Sequence, residues 1–286
     1  MNFFKKLTNK QIFIIAEIGI NHNGNIKTAL KLIDAAKLAG CDAVKFQKRT
    51  PEICVPKDQW EIKRDTPWGK MKYIDYKKKI EFGKKEYDII DKYCKKLSIL
   101  WSASCWDLKS LKFIEKYNVS FHKIASACIT DLGLLYGYKK TKKPVIISTG
   151  MSTEKEIDKA VKILSQKKLA ILHCNSSYPA PNNQLNLNYI KKLKGKYKEA
   201  VIGYSGHEIN LSATIASAVL GAKIIERHIT LDKSMWGTDQ ISSIEPLGFA
   251  RLIKDIRTVE ESLGEPKKII YPEERKMMKK LRKFNK

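Results

Sequence analysis

Two histidines, His207 and His228, stand at the ends of two short apolar runs, within the segments IGYSGHE and IIERHIT. Neutral imidazoles are common ligands for divalent transition metals, and two of them leave coordination positions open to water or a substrate oxygen. Whether the two rings meet depends on the elements that carry them. Ser205 and His207 are two apart, as are Glu226 and His228, and side chains two apart on a strand share a face. The small apolar stretch from Leu211 to Gly221 suits a helix, so the whole reads as strand–helix–strand. Such a crossover lays two strands side by side and parallel, and both rings can then reach one cavity. The competing reading is two ordinary polar residues at strand ends, because a closed structural zinc site uses more than two ligands.

The same alternation of short β-like runs and helical stretches continues through the chain. Strands are expected at 13–20, 43–47, 99–105, 121–126, 145–149, 170–175, 201–205 and 224–230, each followed by a helical pattern. Asn25 can cap a helix that carries Ile26, Ala29, Leu30 and Ile33 on one face and stops at Gly40. The last helix starts near Leu247 and stops at Gly264. Eight βα units without hairpin signals predict an α/β fold, a single-domain (β/α)8 TIM barrel over residues 1–264 with a basic tail at 265–286. An open doubly wound sheet competes, but no GxGxxG follows any strand. One long interruption, residues 48–80, carries Trp60, Trp68, Tyr73 and Tyr76. It reads equally as a binding loop or as a surface insertion that packs its own aromatics.

In such a barrel the chemistry lies where the strands run out, so those positions can be collected. Glu17 sits inside an apolar run, where a carboxylate must be paired or hold its proton more tightly, and either suits an acid or base. Lys45 and Gln47 end the second strand, Lys123 and Ser126 the fourth, Ser148 the fifth, and Ser205 the seventh. Two inward lysines with hydroxyls beside them make an anion cradle. The alternative for each lysine is an ion pair with Glu17 or Glu226. His22, His122 and His173 are expected to be structural, with His122 pointing away from Lys123.

Composition narrows the class. The chain of 286 residues is 43% hydrophobic, enough for one large core, and has no apolar run of membrane-spanning length and no secretory leader pattern. A soluble, cytoplasmic protein is expected, with no membrane partner. The formal charge of +25 would suit a nucleic-acid binder. The lysines are spread over nearly every helix face, however, which favours a solvated surface, and no nucleic-acid partner is expected. Six cysteines without CxxC spacing read as reduced, buried thiols.

The motifs AEIGINHNG (16–24), VKFQ (44–47), HKIAS (122–126), ISTGMS (147–152), LHCNSSYP (172–179), IGYSGHE (202–208) and IERHITLD (225–232) together resemble the sialic acid synthase family. Its members condense phosphoenolpyruvate with an aldose to make N-acetylneuraminate and related nonulosonic acids. The resemblance implies a (β/α)8 barrel, with His207 and His228 as ligands of a divalent metal, usually Mn2+. It places Lys45, Lys123, Ser126, Ser148, Ser176 and Ser205 around phosphoenolpyruvate, and Gln47, Tyr178 and Asp239 around the sugar. Glu17 falls at the family's catalytic carboxylate. The pattern departs at Cys128, where many members carry an acidic residue, and at Ser176, where the family has Asn and Asn175 is adjacent. The family's usual antifreeze-like domain is expected to be lacking after the tail, so the acylamino group would be read differently and homo-oligomer formation through that domain is not implied. Competing functions are a synthase of shorter 3-deoxy-ulosonates, a pyruvate Schiff-base aldolase, and a non-catalytic basic barrel that binds polyanions.

Overall fold

The computed structural model describes residues 3–9 and 11–283, without the side chain of Lys6. Its centre is a closed ring of eight parallel strands whose spatial order follows the chain. They are β1 (Phe13–Gly19), β2 (Ala43–Lys48), β3 (Leu100–Cys105), β4 (His122–Ile124), β5 (Val145–Ser148), β6 (Leu169–Cys174), β7 (Val201–Gly206) and β8 (Ile224–His228). Each feeds a helix outside the ring: α1 (Ile26–Ala39), α2 (Lys84–Lys96), α3 (Leu108–Glu115), α4 (Leu132–Lys140), α5 (Glu154–Leu164), α6 (Tyr189–Lys196), α7 (Ser212–Val219) and α8 (Pro246–Leu263). This is the expected (β/α)8 barrel, and the strand limits fall within a residue or two of those read from the sequence.

The local signals work as their chemistry dictates. The Asn25 side chain accepts from the backbone N–H groups of Lys27 and Thr28, and Gly40 closes α1 with φ 94°, a left-handed conformation that costs a glycine little. Along each strand the outward residues join the helices in one large core, while the inward ones fill the barrel. The lower interior is apolar: Phe13, Ile15, Phe121, Ile146, Leu172 and Ile224 pack there, and Phe4 of the short helix Phe3–Leu7 joins them from below. One step up every strand the interior turns polar.

Residues 48–80 are not structureless. They contain a helical turn (Pro51–Cys54), a two-residue antiparallel ladder (Lys63–Arg64 with Met71–Lys72) and a helix (Tyr73–Ile80). Tyr76 and Ile80 bury against Ile20, and the Tyr76 ring meets Trp236 edge-on at 5.1 Å. The insertion packs its own aromatics and also walls one side of the barrel mouth. Beyond α8 the helix Pro272–Leu281 buries none of its residues, and residues 284–286 of the basic tail lie outside the described residues. No helix among the described residues is long and apolar enough to cross a membrane.

Candidate active site

The polar layer is set by register. Glu17 on β1 is the pairing partner of Lys45 on β2 and of His228 on β8, and Glu226 on β8 pairs with Ser205 on β7. All of these side chains are buried and line one cavity of about 140 Å³ with Lys123, Ser126, Ser148, Ser176, Tyr178 and His207. A larger cleft of about 790 Å³ opens beside it and shares Met151, Cys174 and Ser176.

Both lysines are ion-paired. Lys45 Nζ lies 2.5 Å from Glu17 Oε2 and Lys123 Nζ 3.4 Å from Glu226 Oε1. Lys45 also donates to Ser104 Oγ at 2.8 Å. Taking four ionisable groups out of water is costly even when they pair. Burial pushes the Glu17 carboxyl up to about 7, against the attraction of Lys45 and with help from the nearby Glu226 carboxylate. Burial opposes ionisation of Glu226 as well, but Lys123 and Lys45 together outweigh it and hold that carboxyl below its ordinary range. Burial likewise lowers the Lys123 ammonium, only partly offset by Glu226. Glu17 is thus the group that can take up or release a proton near neutrality, leaving the lysines with an excess of positive charge when it is protonated.

Beside the lysines sits a group of hydroxyls and a backbone amide. The Ser148 hydroxyl is buried with no hydrogen-bond partner among the described residues. Gly150 N–H donates to Ser126 Oγ at 3.1 Å. A Cβ at Gly150 would come within 2.0 Å of Ser176 Oγ and 2.9 Å of Ser126 Oγ, so only glycine keeps this corner open. Three hydroxyls and an ammonium around an unfilled space fit an anionic oxygen cluster.

The two histidine rings stand 5.5 Å apart, centroid to centroid. His207 Nδ1 lies 2.6 Å from the Asn175 carbonyl oxygen, so it carries the proton and leaves Nε2 bare, as a metal-binding imidazole requires. His228 Nδ1 is buried without a hydrogen-bond partner, and burial pushes that ring down to about 3, so it is neutral. Among the described residues no group of three or more His, Cys, Asp or Glu forms a metal cluster. The two rings, facing one cavity, are a donor set that fits a divalent ion with its other positions left to water and substrate oxygens. Tyr178 lies over His207 at 4.0 Å between ring centroids, Asp239 Oδ2 is 3.8 Å from His228 Nδ1, and Gln47 Nε2 donates to Glu17 Oε1 at 3.1 Å. The three residues expected near a sugar thus ring the histidine pair.

Several contributors escaped the sequence reading. Ser104 and Cys174 line the cavity, and strand alternation in ASC and LHC could have found them. Glu226 was weighed only as a partner for a lysine. Behind the histidines, on the opposite faces of their strands, Arg227 Nη1 meets Glu208 Oε1 at 3.0 Å in full burial, and Tyr204 Oη donates to Glu208 Oε2 at 2.9 Å. This pair ties the ends of β7 and β8 together one residue from each imidazole. The remaining histidines lie outside the lining of the catalytic cavity. His22 stacks on Phe82 at 3.9 Å, His122 meets Glu115 Oε1 at 2.8 Å on the outer side, and His173 Nε2 contacts the Leu185 carbonyl at 2.6 Å.

Residues 32–268 match the model of the NeuB family. The chain is 37% identical over 276 residues to N-acetylneuraminate-9-phosphate synthase of Mus musculus, covering 95% of this chain and 76% of that protein. It is 34% identical over 283 residues to N,N'-diacetyllegionaminic acid synthase of Campylobacter jejuni, covering 96% and 84%. Among solved structures, the sialic acid synthetase of Leptospira borgpetersenii in complex with citrate superposes with a TM-score of 0.84 at 34% identity, covering 95% of this chain and 92% of that one.

Proposed function

The chain belongs to the NeuB family, and from that premise we propose that it condenses phosphoenolpyruvate with an open-chain aldose to give a nonulosonic acid and inorganic phosphate. Lys123, Ser126, Ser148, Ser176 and the Gly150 N–H hold the phosphate, and Lys45 with Ser205 faces the carboxylate. Gln47, Tyr178 and Asp239 seat the aldose with its aldehyde toward His207 and His228. These two imidazoles would hold a divalent metal, most simply Mn2+, and a bound ion would supply Lewis acidity toward the aldehyde, worth several kcal/mol of barrier. The C3 carbon of phosphoenolpyruvate forms the new bond to the aldehyde carbon, and that oxygen takes up a proton. Water adds to the cation left at C2 and gives its proton to Glu17, whose raised affinity for protons suits it to the role. The bond from C2 to the bridging oxygen then breaks as the C2 hydroxyl becomes a carbonyl and its proton leaves with the phosphate. The proton on Glu17 balances the one gained by the former aldehyde oxygen, and the two lysines offset the charge that phosphate carries away. Because phosphoenolpyruvate is a charged metabolite, the reaction is assigned to the cytoplasm as part of this proposal.

The observation that carries this reading is the convergence of the histidine pair and both lysines on a single cavity. The test is consumption of phosphoenolpyruvate by the purified chain with a divalent metal and a panel of aldoses. Consumption should require an aldose and the metal, and His207→Ala should abolish it. Turnover that proceeds without any aldehyde would exclude condensation.

A further inference from the structure

The backbone ladder that joins β7 to β8 ends with Arg227 opposite Gly206. His207 and His228 each stand one residue past that last pair, so the ladder itself does not fix how far apart they lie. His228 is held from its other side by β1, where it faces Glu17 in register. The His207 carbonyl accepts from the Ala180 N–H at 3.1 Å, in the loop after β6.

What joins the two segments is the buried pair behind them. One guanidinium nitrogen of Arg227 donates to Glu208 Oε1 at 3.0 Å and to Thr214 Oγ1 at 2.6 Å. The other donates to the backbone carbonyl of Glu208, so the grip includes the main chain one residue from His207. The Glu208 carboxylate accepts in turn from Tyr204 Oη at 2.9 Å and Thr214 Oγ1 at 2.6 Å. A Cβ on Gly206 would come within 2.6 Å of Glu208 Oε2 and 3.0 Å of Arg227 Cδ, so only a residue without a side chain leaves room for the pair.

Stability alone does not explain this arrangement. Pairing of buried charges at best recovers the cost of their desolvation, and apolar side chains of similar volume often serve as well there. A planar guanidinium, by contrast, holds a carboxylate and a carbonyl in a fixed geometry and so transmits position. Resting on the two-imidazole metal site of the condensation proposed above, we infer that Arg227 and Glu208 are positioning residues for that site. They set the separation of the His207 and His228 rings, 5.5 Å between centroids, and with it the affinity for a divalent ion. Neither residue lines the catalytic cavity; both act through the backbone of the histidine next to them in sequence.

The test removes both charges together, because removing one would leave the other buried and unpaired. Arg227→Met/Glu208→Gln keeps the volume and leaves an amide for Tyr204 and Thr214. Arg227→Lys keeps the charge but cannot hold carboxylate and carbonyl at once in a planar fork. The measurements are Mn2+ binding to each folded protein by calorimetry, and phosphoenolpyruvate binding to the metal-free protein as the internal control. The charge-free variant should bind Mn2+ about ten- to a hundredfold more weakly, the range seen when groups that orient metal ligands are lost. Arg227→Lys should fall between it and the wild type. Phosphoenolpyruvate affinity, which depends on Lys45 and Lys123 of β2 and β4, should stay within about threefold in both. Mn2+ affinity within about twofold of the wild type in the charge-free variant overturns the inference and leaves the pair a structural brace. Equal losses for Mn2+ and phosphoenolpyruvate overturn it as well, since they mark a general loosening. If the charge-free variant does not fold, Arg227→Lys decides on the same terms. A wild type that binds no Mn2+ also overturns it, and consumption of phosphoenolpyruvate with an aldose then tests the condensation on its own. Should the wild type not bind phosphoenolpyruvate, the condensation falls and the Mn2+ comparison still decides the positioning role.

Discussion

Phe121, immediately before β4, and Lys123, within it, lie two residues apart and face the same barrel interior, but they belong to regions built on opposite terms. Phe121 is in the lower layer, fully buried, with Phe4 and Phe13 edge-on at 6.2 Å each. Lys123 is in the upper layer, equally removed from water, and its ammonium finds one carboxylate at 3.4 Å. The lower layer lowers the free energy of the folded chain by excluding water from apolar surface. The upper layer raises it, since desolvation of charges is only partly offset by pairing. The barrel thus holds a destabilising group of charges in place on a base that needs no polar contact, and that division is what allows a preorganised anion site to exist.

That contrast can be broken at either residue. The largest effect is expected from Lys123→Met, which should lower kcat/KM for phosphoenolpyruvate by about a thousandfold or more through loss of a charge-assisted contact in a dry site. Its stability to urea should fall at neutral pH by about 3–5 kcal/mol, because Met leaves the buried Glu226 carboxylate without its nearer cation, and should recover as the pH is lowered and that carboxyl takes up a proton. Phe121→Ala should also lose about 3–5 kcal/mol of stability, from the cavity left behind and independently of pH, while kcat stays within about threefold. A large fall in kcat for Phe121→Ala with little loss of stability would show that the two layers are not separable.

The same contrast explains what could be read from the chain alone. Inward positions of the strands alternate, so IAEIG (15–19), AVKFQ (43–47) and FHKIAS (121–126) announce both the apolar base and the charged residue above it. Strand order followed from the right-handed crossovers, and the histidine pair from the equal two-residue steps Ser205–His207 and Glu226–His228. The ion pairing of both lysines was less visible, because Glu17 and Glu226 each face two candidate cations and only register chooses between them. The Arg227–Glu208 pair was invisible for a different reason: its residues point outward, where charges ordinarily meet solvent, and only α7 packing over them removes the water. The mouth was the least legible part. Residues 48–80 have no sustained period, and Arg49, Arg64 and Lys77 meet only because the helix Tyr73–Ile80 folds back against the end of β2.

Glu17 tests the comparison most finely, since it sits where the apolar base of β1 gives way to the charged layer. Glu17→Gln keeps the hydrogen-bonding shape but cannot accept the water's proton, and a fall of about a hundredfold in kcat is expected. In the wild type kcat/KM should decline on the acid side of pH about 7, where the carboxyl becomes protonated, and a bound divalent cation can only move that limb lower. The variant should lose the limb; if it persists in Glu17→Gln, another group titrates there. The metal-free protein gives an independent reading of the same carboxyl. Between the ordinary value of 4.5 and the folded value of about 7 the folded protein keeps a proton that the unfolded chain has released. Stability therefore falls as pH rises through that window, by linkage, and levels off above it. Gln carries no such proton, so the stability of Glu17→Gln relative to the wild type should climb by about 1–3 kcal/mol from pH 4.5 to pH 7.5. A difference that stays flat with pH would mean that Lys45 outweighs burial, and that the layer boundary at Glu17 imposes no electrostatic cost.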